Sequence, residues 1–221
     1  MSAQVQRPPG HRSVGLTGGI ATGKSTVAAL LRERGIAVLD ADQVSRDLTA
    51  PGSPTLAALV DRFGPGLLLP DGTLHRKALG DIIFNDPSAR AALNAITHPA
   101  IGAAVASWVA AQPGVCVVEA TLMVETGSHR RYDDLLVVSC APALQRARLC
   151  AREGIDAAAA EARIAAQAPL AEKEALASEI IWNNDGLDAL RAATASAWAA
   201  LMARPPGAGR PQRTGGSRTD Q

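Results

Sequence analysis

Four residues near the N-terminus have the types and spacing of a phosphate-binding loop. Gly18, Gly23, Lys24 and Ser25 fit the pattern G-x-x-x-x-G-K-[ST] without a gap. In such a loop the backbone N–H groups turn inward onto phosphate oxygens, and glycine allows the backbone to approach that closely. The lysine reaches the β- and γ-phosphates of a nucleotide, and the hydroxyl binds Mg²⁺. The pattern predicts a site for Mg²⁺ and a nucleoside triphosphate; the alternative is a chance glycine-rich turn.

The segments on either side of this loop would position it. Apolar residues from Val14 to Leu16 predict the end of a buried strand, and apolar residues at helical spacing follow from Lys24 to Arg34. Gly35 can end that helix. The N-terminus of the helix, the positive end of its dipole, would point at the phosphate. The nucleotide-binding residues predicted in the loop are Gly18, Gly19, Ala21, Thr22, Gly23, Lys24, Ser25 and Thr26.

Two carboxylates follow the next apolar run. Residues 36–39 predict a second buried strand, and the chain continues with Asp40, Ala41 and Asp42. Ligands of open parallel sheets collect beyond the carboxyl ends of the strands, so both acids are expected near the phosphate loop. A solvated acidic loop or a helix N-cap is the alternative interpretation.

The segment 43–112 predicts helices and no clear strand. Its turns fall at 51–52, 64–66 and 70–72, where proline and glycine cluster. An insertion of this length between two strands is too long for a single crossover, and we expect it to form a helical substrate-binding subdomain. Helical periodicity covers residues 44–48, 55–63, 76–84 and 87–111.

The remaining chain alternates strands with helices. Apolar runs predict strands at 115–118, ending at Glu119, at 135–139 and at 179–182. A helix over 141–152 would present Gln145, Arg148 and Arg152 on one face. Helical patterns continue over 157–174, with a break at Pro169, and over 187–201. This alternation predicts a three-layer α/β fold of the P-loop kinase type. A GTPase fits less well, because lysines at 24, 77 and 173 alone allow no Asn-Lys-x-Asp motif.

Length and composition fit one globular domain with an insertion. The chain has 221 residues and a formal net charge of +1, so no long-range field would attract nucleic acid or an acidic membrane. Pro113-Gly114 divides the longest uncharged run, which argues against a membrane span. Three cysteines without metal-ligand spacing indicate free thiols in a reducing compartment, and we expect a cytoplasmic protein. Residues 1–12 and 204–221 are predicted to be disordered.

Taken together, these motifs resemble dephospho-coenzyme A kinase from about Val14 to Trp198. Three positions depart from the family. Ala21 stands where the family usually has glycine, Thr121 stands where it has proline, and Glu153 follows Arg152 where the family has aspartate. The matching motifs occur in the same order as in the family: 15–20 and 23–26, Asp40-Ala-Asp42, Leu74-His-Arg76 with Leu79, His98-Pro99, Gln145 with Arg148 and Arg152, Arg163-Ile164, Gln167, Glu172-Lys173 and 181–186.

The resemblance implies an ATP-dependent phosphoryl transfer to the ribose 3′-hydroxyl of dephospho-coenzyme A. It also implies a five-stranded parallel sheet, a helical coenzyme A domain and a mobile lid over about 141–172. Phosphoryl transfer needs charge neutralisation, positioning and a proton acceptor. The roles that follow are Lys24, Arg148 and Arg152 on the phosphates, Ser25 and Asp40 on Mg²⁺, Asp42 as general base, and Arg76, His98 and Glu125 on the acceptor. His98 followed by Pro99 has a second interpretation, in which the pair caps and ends a helix.

Two other functions stay open from the sequence. Another small-molecule kinase of the same fold would act on a nucleotide or a hydroxy acid, and a panel of acceptors would distinguish it. An ATP-binding module without transferase activity would regulate a partner, and Ala21 and Thr121 are the hints for it. For the kinase that the motifs resemble, a monomer or a weak homo-oligomer is expected.

Overall fold

The structure is a computed structural model that describes residues 10–206. The chain folds into two compact units. One unit is Leu39–Pro113, and the other joins Gly10–Val38 to the chain from Gly114 onwards. Residues 1–9 and 207–221, which the sequence predicts to be disordered, lie outside the described residues.

A five-stranded sheet forms the centre of the fold. The strands are β1 (Arg12–Gly18), β2 (Ala37–Asp40), β3 (Val115–Glu119), β4 (Asp134–Ser139) and β5 (Glu179–Trp182), in the spatial order β2-β3-β1-β4-β5. β1 pairs in parallel with both β3 and β4, and β4 pairs in parallel with β5. The predicted five-stranded parallel sheet is confirmed.

The continuous apolar character of these strands follows from their position. β1 is buried along its whole length because strands flank it on both edges and helices cover the sheet. Val14 and Leu16 pack with Val117, Leu136 and Val138 in the main hydrophobic cluster. This central strand leads directly into the phosphate loop, so the loop starts from a fully buried part of the sheet.

Among the described residues, five α-helices and the short 3₁₀ helix Ser128–Arg131 belong to the same unit as most of the sheet. The α-helices are α1 (Lys24–Glu33), α6 (Pro142–Glu153), α7 (Ala157–Ala165), α8 (Leu170–Leu176) and α9 (Leu187–Met202). α1 and α9 contribute Val27, Leu31 and Leu201 to the main cluster. Gly35 follows α1 with a φ of 77°, the left-handed conformation that commonly ends a helix. Pro169 separates α7 from α8, as the sequence predicts.

Four α-helices and the short 3₁₀ helix Pro65–Leu67 lie in the unit Leu39–Pro113, where a helical insert is predicted. The α-helices are α2 (Ala41–Leu48), α3 (Pro54–Phe63), α4 (Arg76–Asn85) and α5 (Pro87–Ala110). Leu56, Leu59 and Leu67 belong to a separate hydrophobic cluster of this unit. Ser53 caps α3 and Asp86 caps α5 through their side-chain oxygens. This unit therefore has a core and helix caps of its own.

The structure corrects one interpretation of the pair His98-Pro99. α5 continues through Pro99 to Ala110, so the pair does not end a helix. A proline inside a helix removes one backbone hydrogen bond and costs about 3 kcal/mol. α5 packs against α2, α3 and α4, and this packing offsets that loss.

The predicted disorder at both chain ends is wrong where the structure describes them. Arg12 is the first residue of β1, and its Nε donates to Asp134 Oδ2 at 2.7 Å in a buried pair. Arg204 also has fixed contacts, because its carbonyl oxygen accepts from Arg12 Nη1 at 2.8 Å and its guanidinium pairs with Glu179. Arginine-rich termini look disordered by composition, and buried partners override that composition here.

Two further features agree with the sequence. Cys116, Cys140 and Cys150, all within residues 10–206, are not joined in disulfide bonds, and the first two are buried. Burial raises the pKa of the Cys140 thiol, against the opposing charge of Arg148. Among residues 10–206, no helix has both the length and the apolar character needed to cross a membrane.

Candidate active site

The phosphate loop between β1 and α1 takes two left-handed backbone conformations. Gly23 has a φ of 95° and Ala21 a φ of 60°. A Cβ on Gly18 would lie 2.5 Å from the carbonyl oxygen of Val138, so only glycine fits where the loop leaves the sheet. Two glycines of the motif are therefore explained by geometry, and α1 begins at Lys24 as a phosphate loop requires.

Asn183, which follows β5, fixes the second half of the loop. Its Nδ2 donates to the carbonyl oxygen of Thr22 at 2.8 Å. A Cβ on Gly23 would lie 2.2 Å from the same nitrogen, so glycine at 23 also makes room for this contact. The Thr22 hydroxyl turns inward and donates to the carbonyl oxygen of Gly19 at 2.9 Å. The side chain of Thr22 thus supports the loop and does not face its pocket.

A pocket of about 470 Å³ opens over the loop. It brings together most of the residues that the sequence predicts to bind the nucleotide. Gly18 and Thr22 are not among its lining residues, and the Thr22 side chain is fully buried. The lining residues are Gly19, Ile20, Ala21, Gly23, Lys24, Ser25, Thr26, Thr121, Arg148, Arg152 and Gln167.

Lys24 pairs with a carboxylate that sequence reasoning did not select. Its Nζ lies 2.7 Å from Oε1 of Glu119, the last residue of β3, and both side chains are nearly buried. Arg32 approaches the other oxygen of Glu119 at 3.9 Å. The position of Glu119 at the end of a predicted apolar strand is the sequence signal that could have placed it near the site, although not its pairing with Lys24. Glu119 holds the loop lysine in place beside the pocket.

Arg148 and Arg152 approach the pocket from α6, one turn apart. Arg148 Nη1 donates to the carbonyl oxygen of Asn183 at 2.8 Å, which fixes its guanidinium. Arg152 pairs with Glu153 at 2.8 Å, and Glu153 also pairs with Arg163. Hydrogen bonds from Arg152 and Arg163 lower the pKa of the exposed Glu153 carboxyl. Of the three residues predicted on one face of this helix, Arg148 and Arg152 line the pocket, whereas Gln145 is buried and is not among its lining residues.

The side chains of Gln145 and Gln167 both bind Ile20 in the first half of the loop. Gln145 Nε2 donates to the Ile20 carbonyl oxygen at 2.9 Å, and Gln167 Oε1 accepts from the Ile20 N–H at 2.8 Å. Gln145 comes from α6 and Gln167 from the connection between α7 and α8. The segment in which a lid is predicted is thus hydrogen-bonded to the phosphate loop.

Glu125 contacts Lys173 and the backbone of Ala168, in the segment where the lid is predicted. Its Oε1 lies 2.8 Å from Nζ of Lys173, a fully buried lysine, and accepts from the Ala168 N–H at 2.9 Å. Lys173 Nζ also donates to the carbonyl oxygens of Gly18 at 3.3 Å and Thr121 at 3.0 Å. Burial alone would raise the pKa of Glu125, but hydrogen bonds from Lys173 and from backbone amides lower it. These partners contact Oε1 of Glu125. The contact of Glu125 with an acceptor stays a prediction.

The sequence of this chain matches a known protein family. The sequence model described as dephospho-CoA kinase matches residues 12–189. The chain is 47% identical over 194 residues to the dephospho-CoA kinase of Symbiobacterium thermophilum, covering 86% of this chain and 81% of that protein. The chain belongs to the dephospho-CoA kinase family.

Solved structures agree with this membership of the dephospho-CoA kinase family. The dephospho-CoA kinase from Campylobacter jejuni superimposes with a TM-score of 0.65 at 25% identity, covering 86% of this chain and 96% of that one. The protein TT1252 from Thermus thermophilus gives a TM-score of 0.75 at 31% identity, covering 89% of this chain and 99% of that one. The predicted resemblance is confirmed, and the chain is a kinase of the family that catalyses the last step of coenzyme A synthesis.

Asp40 and Asp42 lie at the start of the unit Leu39–Pro113. Asp40 ends β2 and caps α2, since its Oδ1 accepts from the N–H groups of Asp42 at 2.8 Å and Gln43 at 3.1 Å. The N-cap interpretation of Asp40 is therefore correct for this oxygen. Both carboxylates are half-buried. The roles of Asp40 in binding Mg²⁺ and of Asp42 as the base stay predictions.

Arg76 and His98 belong to the same unit as Asp42. Arg76 is the first residue of α4, and its Nη2 donates to Oγ1 of Thr49 at 2.9 Å. Arg76 is exposed overall. His98 is exposed on α5. Both predicted acceptor contacts remain predictions, and both side chains are accessible to a ligand.

Proposed function

We propose that this member of the dephospho-CoA kinase family transfers the γ-phosphoryl group of ATP to the ribose 3′-hydroxyl of dephospho-coenzyme A. The observation that carries the proposal is the pocket in which Lys24 meets Arg148 and Arg152 over a glycine-rich loop. These three cations and the amides at the start of α1 match the charge of a triphosphate. Family membership supplies the acceptor, since the relatives bear the name of that reaction.

Lys24 and the two arginines stabilise the transferring phosphoryl group. In the free chain Glu119 neutralises Lys24. A triphosphate in the pocket offers the lysine a second, more strongly charged partner, so Lys24 would be shared between the phosphates and Glu119. The contact between Arg148 and Asn183 fixes the guanidinium before the nucleotide arrives, which lowers the entropy lost on binding.

The residues present fit Mg²⁺. Ser25 exposes its hydroxyl in the pocket, and the Glu119 carboxylate lies beside Lys24. Mg²⁺ is bound in kinases through one or two protein oxygens together with the phosphates, so this hard-oxygen donor set suits it. When bound, the ion neutralises negative charge that develops on the phosphate oxygens. Ser25 would hold it, together with the proposed ligand Asp40.

The acceptor side of the proposal rests on Asp42, Arg76, His98 and Glu125. Asp42 would accept the proton of the ribose hydroxyl, because a free hydroxyl is a poor nucleophile at neutral pH. Arg76 would bind an acidic group of the acceptor, since its guanidinium can form charge-assisted hydrogen bonds. We further propose that the enzyme acts in the cytoplasm as a monomer or a weak homo-oligomer; described cysteines that form no disulfide bond fit a reducing compartment.

The decisive experiment follows ATP consumption and product formation with dephospho-coenzyme A. ADP release is measured by a coupled assay, and the product is identified by mass spectrometry as the acceptor plus one phosphoryl group. We expect turnover with dephospho-coenzyme A and none with its 3′-deoxy analogue. The Lys24→Ala variant should remain folded but lose turnover, because a cation on the transferring phosphoryl group contributes several kcal/mol. Its melting temperature should fall, since the nearly buried Glu119 carboxylate loses its closest charged partner. Turnover of a nucleotide or a hydroxy acid, but not of dephospho-coenzyme A, would reject the assigned acceptor.

A further inference from the structure

Ile20 in the phosphate loop has both of its backbone polar groups bound by distant side chains. Gln145 donates to its carbonyl oxygen and Gln167 accepts from its N–H, from positions 125 and 147 residues further along the chain. One amide side chain acts as a donor and the other as an acceptor, so together they match the two groups of a single residue.

The contact between Gln145 and Ile20 also requires glycine at position 19. A Cβ on Gly19 would lie 2.5 Å from Gln145 Nε2, so only glycine lets this nitrogen reach the loop. Gln145 is 3% exposed, and water has little access to replace its hydrogen bond. The loop and α6 are thus fitted to each other at this point.

Ala21, the next residue, has a conformation that residues with a Cβ rarely adopt. Its φ is 60°, and within residues 10–206 it is the one residue other than glycine with a positive φ. Such a conformation is unfavourable and persists where the surrounding structure fixes the backbone. The fixed neighbours are Ile20 on one side and Thr22 on the other, whose side chain and carbonyl are both hydrogen-bonded.

We propose that Gln145 and Gln167 are positioning residues that clamp the Ile20 backbone and thereby hold Ala21 in the left-handed conformation that ATP binding requires. The pocket wall at 19–21 is then formed before the nucleotide arrives. Without the clamp, Ala21 relaxes toward negative φ, and a smaller fraction of the protein is competent to bind. A glycine at this position adopts either conformation without strain, so it depends less on the clamp.

The test measures binding of Mg·ATP by calorimetry in the complete chain. The variants are Gln145→Met and Gln167→Met, each alone and combined with Ala21→Gly. Methionine keeps the length of the side chain and removes both hydrogen-bonding groups. We expect each variant to raise the Kd for ATP about five- to tenfold when Ala21 is retained, the effect of one lost hydrogen bond. In combination with Ala21→Gly the rise should fall to about threefold or less.

Gln112→Met is the matched control, because Gln112 donates to the Trp108 carbonyl oxygen in the other unit. Its Kd for ATP should stay at the wild-type value. In turnover assays KM for ATP should rise while kcat changes less than about twofold, since the clamp acts on binding. Thermal unfolding shows whether each variant is folded. If Gln145→Met fails to fold, the half-buried Gln167 decides the test by itself.

A wild-type Kd in the folded Gln167→Met variant would overturn the proposal. An equal rise with and without Ala21→Gly would also overturn it, because the clamp would then not act through Ala21. The proposal rests on the proposed function only in taking ATP as the ligand. Its measurement contains no acceptor, so a failure of the proposed function would be seen separately, as wild-type protein that binds ATP but does not phosphorylate dephospho-coenzyme A.

Discussion

Replacing Lys173 by methionine tests whether the buried lysine supports the phosphate loop. The Lys173 ammonium is fully buried and has three oxygen partners: the Gly18 carbonyl at 3.3 Å, the Thr121 carbonyl at 3.0 Å and Glu125 at 2.8 Å. Methionine fills a similar volume but leaves a carboxylate without its charged partner and two carbonyls without a donor. Losses of this kind come to about 3–5 kcal/mol.

Urea unfolding at neutral pH measures this loss as a change in the free energy of unfolding. A domain of this kind has about 5–15 kcal/mol in total, so Lys173→Met should be folded but much less stable. Lys77→Met, at an exposed position on α4, is the control and should change stability by less than about 0.5 kcal/mol.

A double variant identifies the source of the loss. Lys173→Met combined with Glu125→Gln removes the unpaired carboxylate, so it should be more stable than Lys173→Met alone by about 1–2 kcal/mol. A loss below about 1 kcal/mol in Lys173→Met would refute the reasoning, since it would mean that these oxygens find other partners. A double variant that is no more stable than the single one would refute the role of Glu125.

Three further predictions follow from the same structure. Asp42→Asn should lower kcat by roughly 10²- to 10⁴-fold while ATP still binds; if added Mg²⁺ rescues Asp42→Asn but not Asp40→Asn, the two roles are reversed. The pKa of Glu125 is lower in the folded protein than its ordinary value of 4.5, so the ionised carboxylate stabilises the fold above about pH 4.5. This stabilisation is lost as the pH falls through the pKa of the folded state. Unfolding followed from about pH 6 to about pH 3 should therefore show a steeper loss in wild type than in Glu125→Gln, and parallel curves would contradict it. A chain ending at Pro206 should keep the wild-type melting temperature, because 207–221 has no apolar side chain larger than alanine or proline. A chain ending at Ala203 loses the contacts of Arg204 with Arg12 and Glu179 and should melt several degrees lower; equal melting temperatures would show that these contacts contribute nothing.

Local patterns determined much of the fold. The predicted strand at 179–182 has the observed bounds of β5, and the helix predicted from Lys24 is α1, followed by Gly35. Both follow from periodicity and turn chemistry, which act over a few residues. The family was also accessible from the sequence, because its motifs lie in short segments and keep their order.

Contacts between residues far apart in the chain could not be predicted from these local patterns. Nothing in the spacing of Glu119 and Lys24 indicates that they pair, because the pairing depends on β3 lying beside β1. Arg12 and Arg204 looked like parts of disordered ends, and buried partners decided otherwise.

The phosphate loop shows this division most clearly. The sequence specified which residues form it, since the residue types at 18, 23, 24 and 25 are those of a phosphate-binding loop. The tertiary structure decided what holds it: Gln145 and Gln167 at Ile20, and Asn183 at Thr22. A motif is a local property of the chain, whereas its support comes from segments more than 100 residues away that only folding brings to the loop.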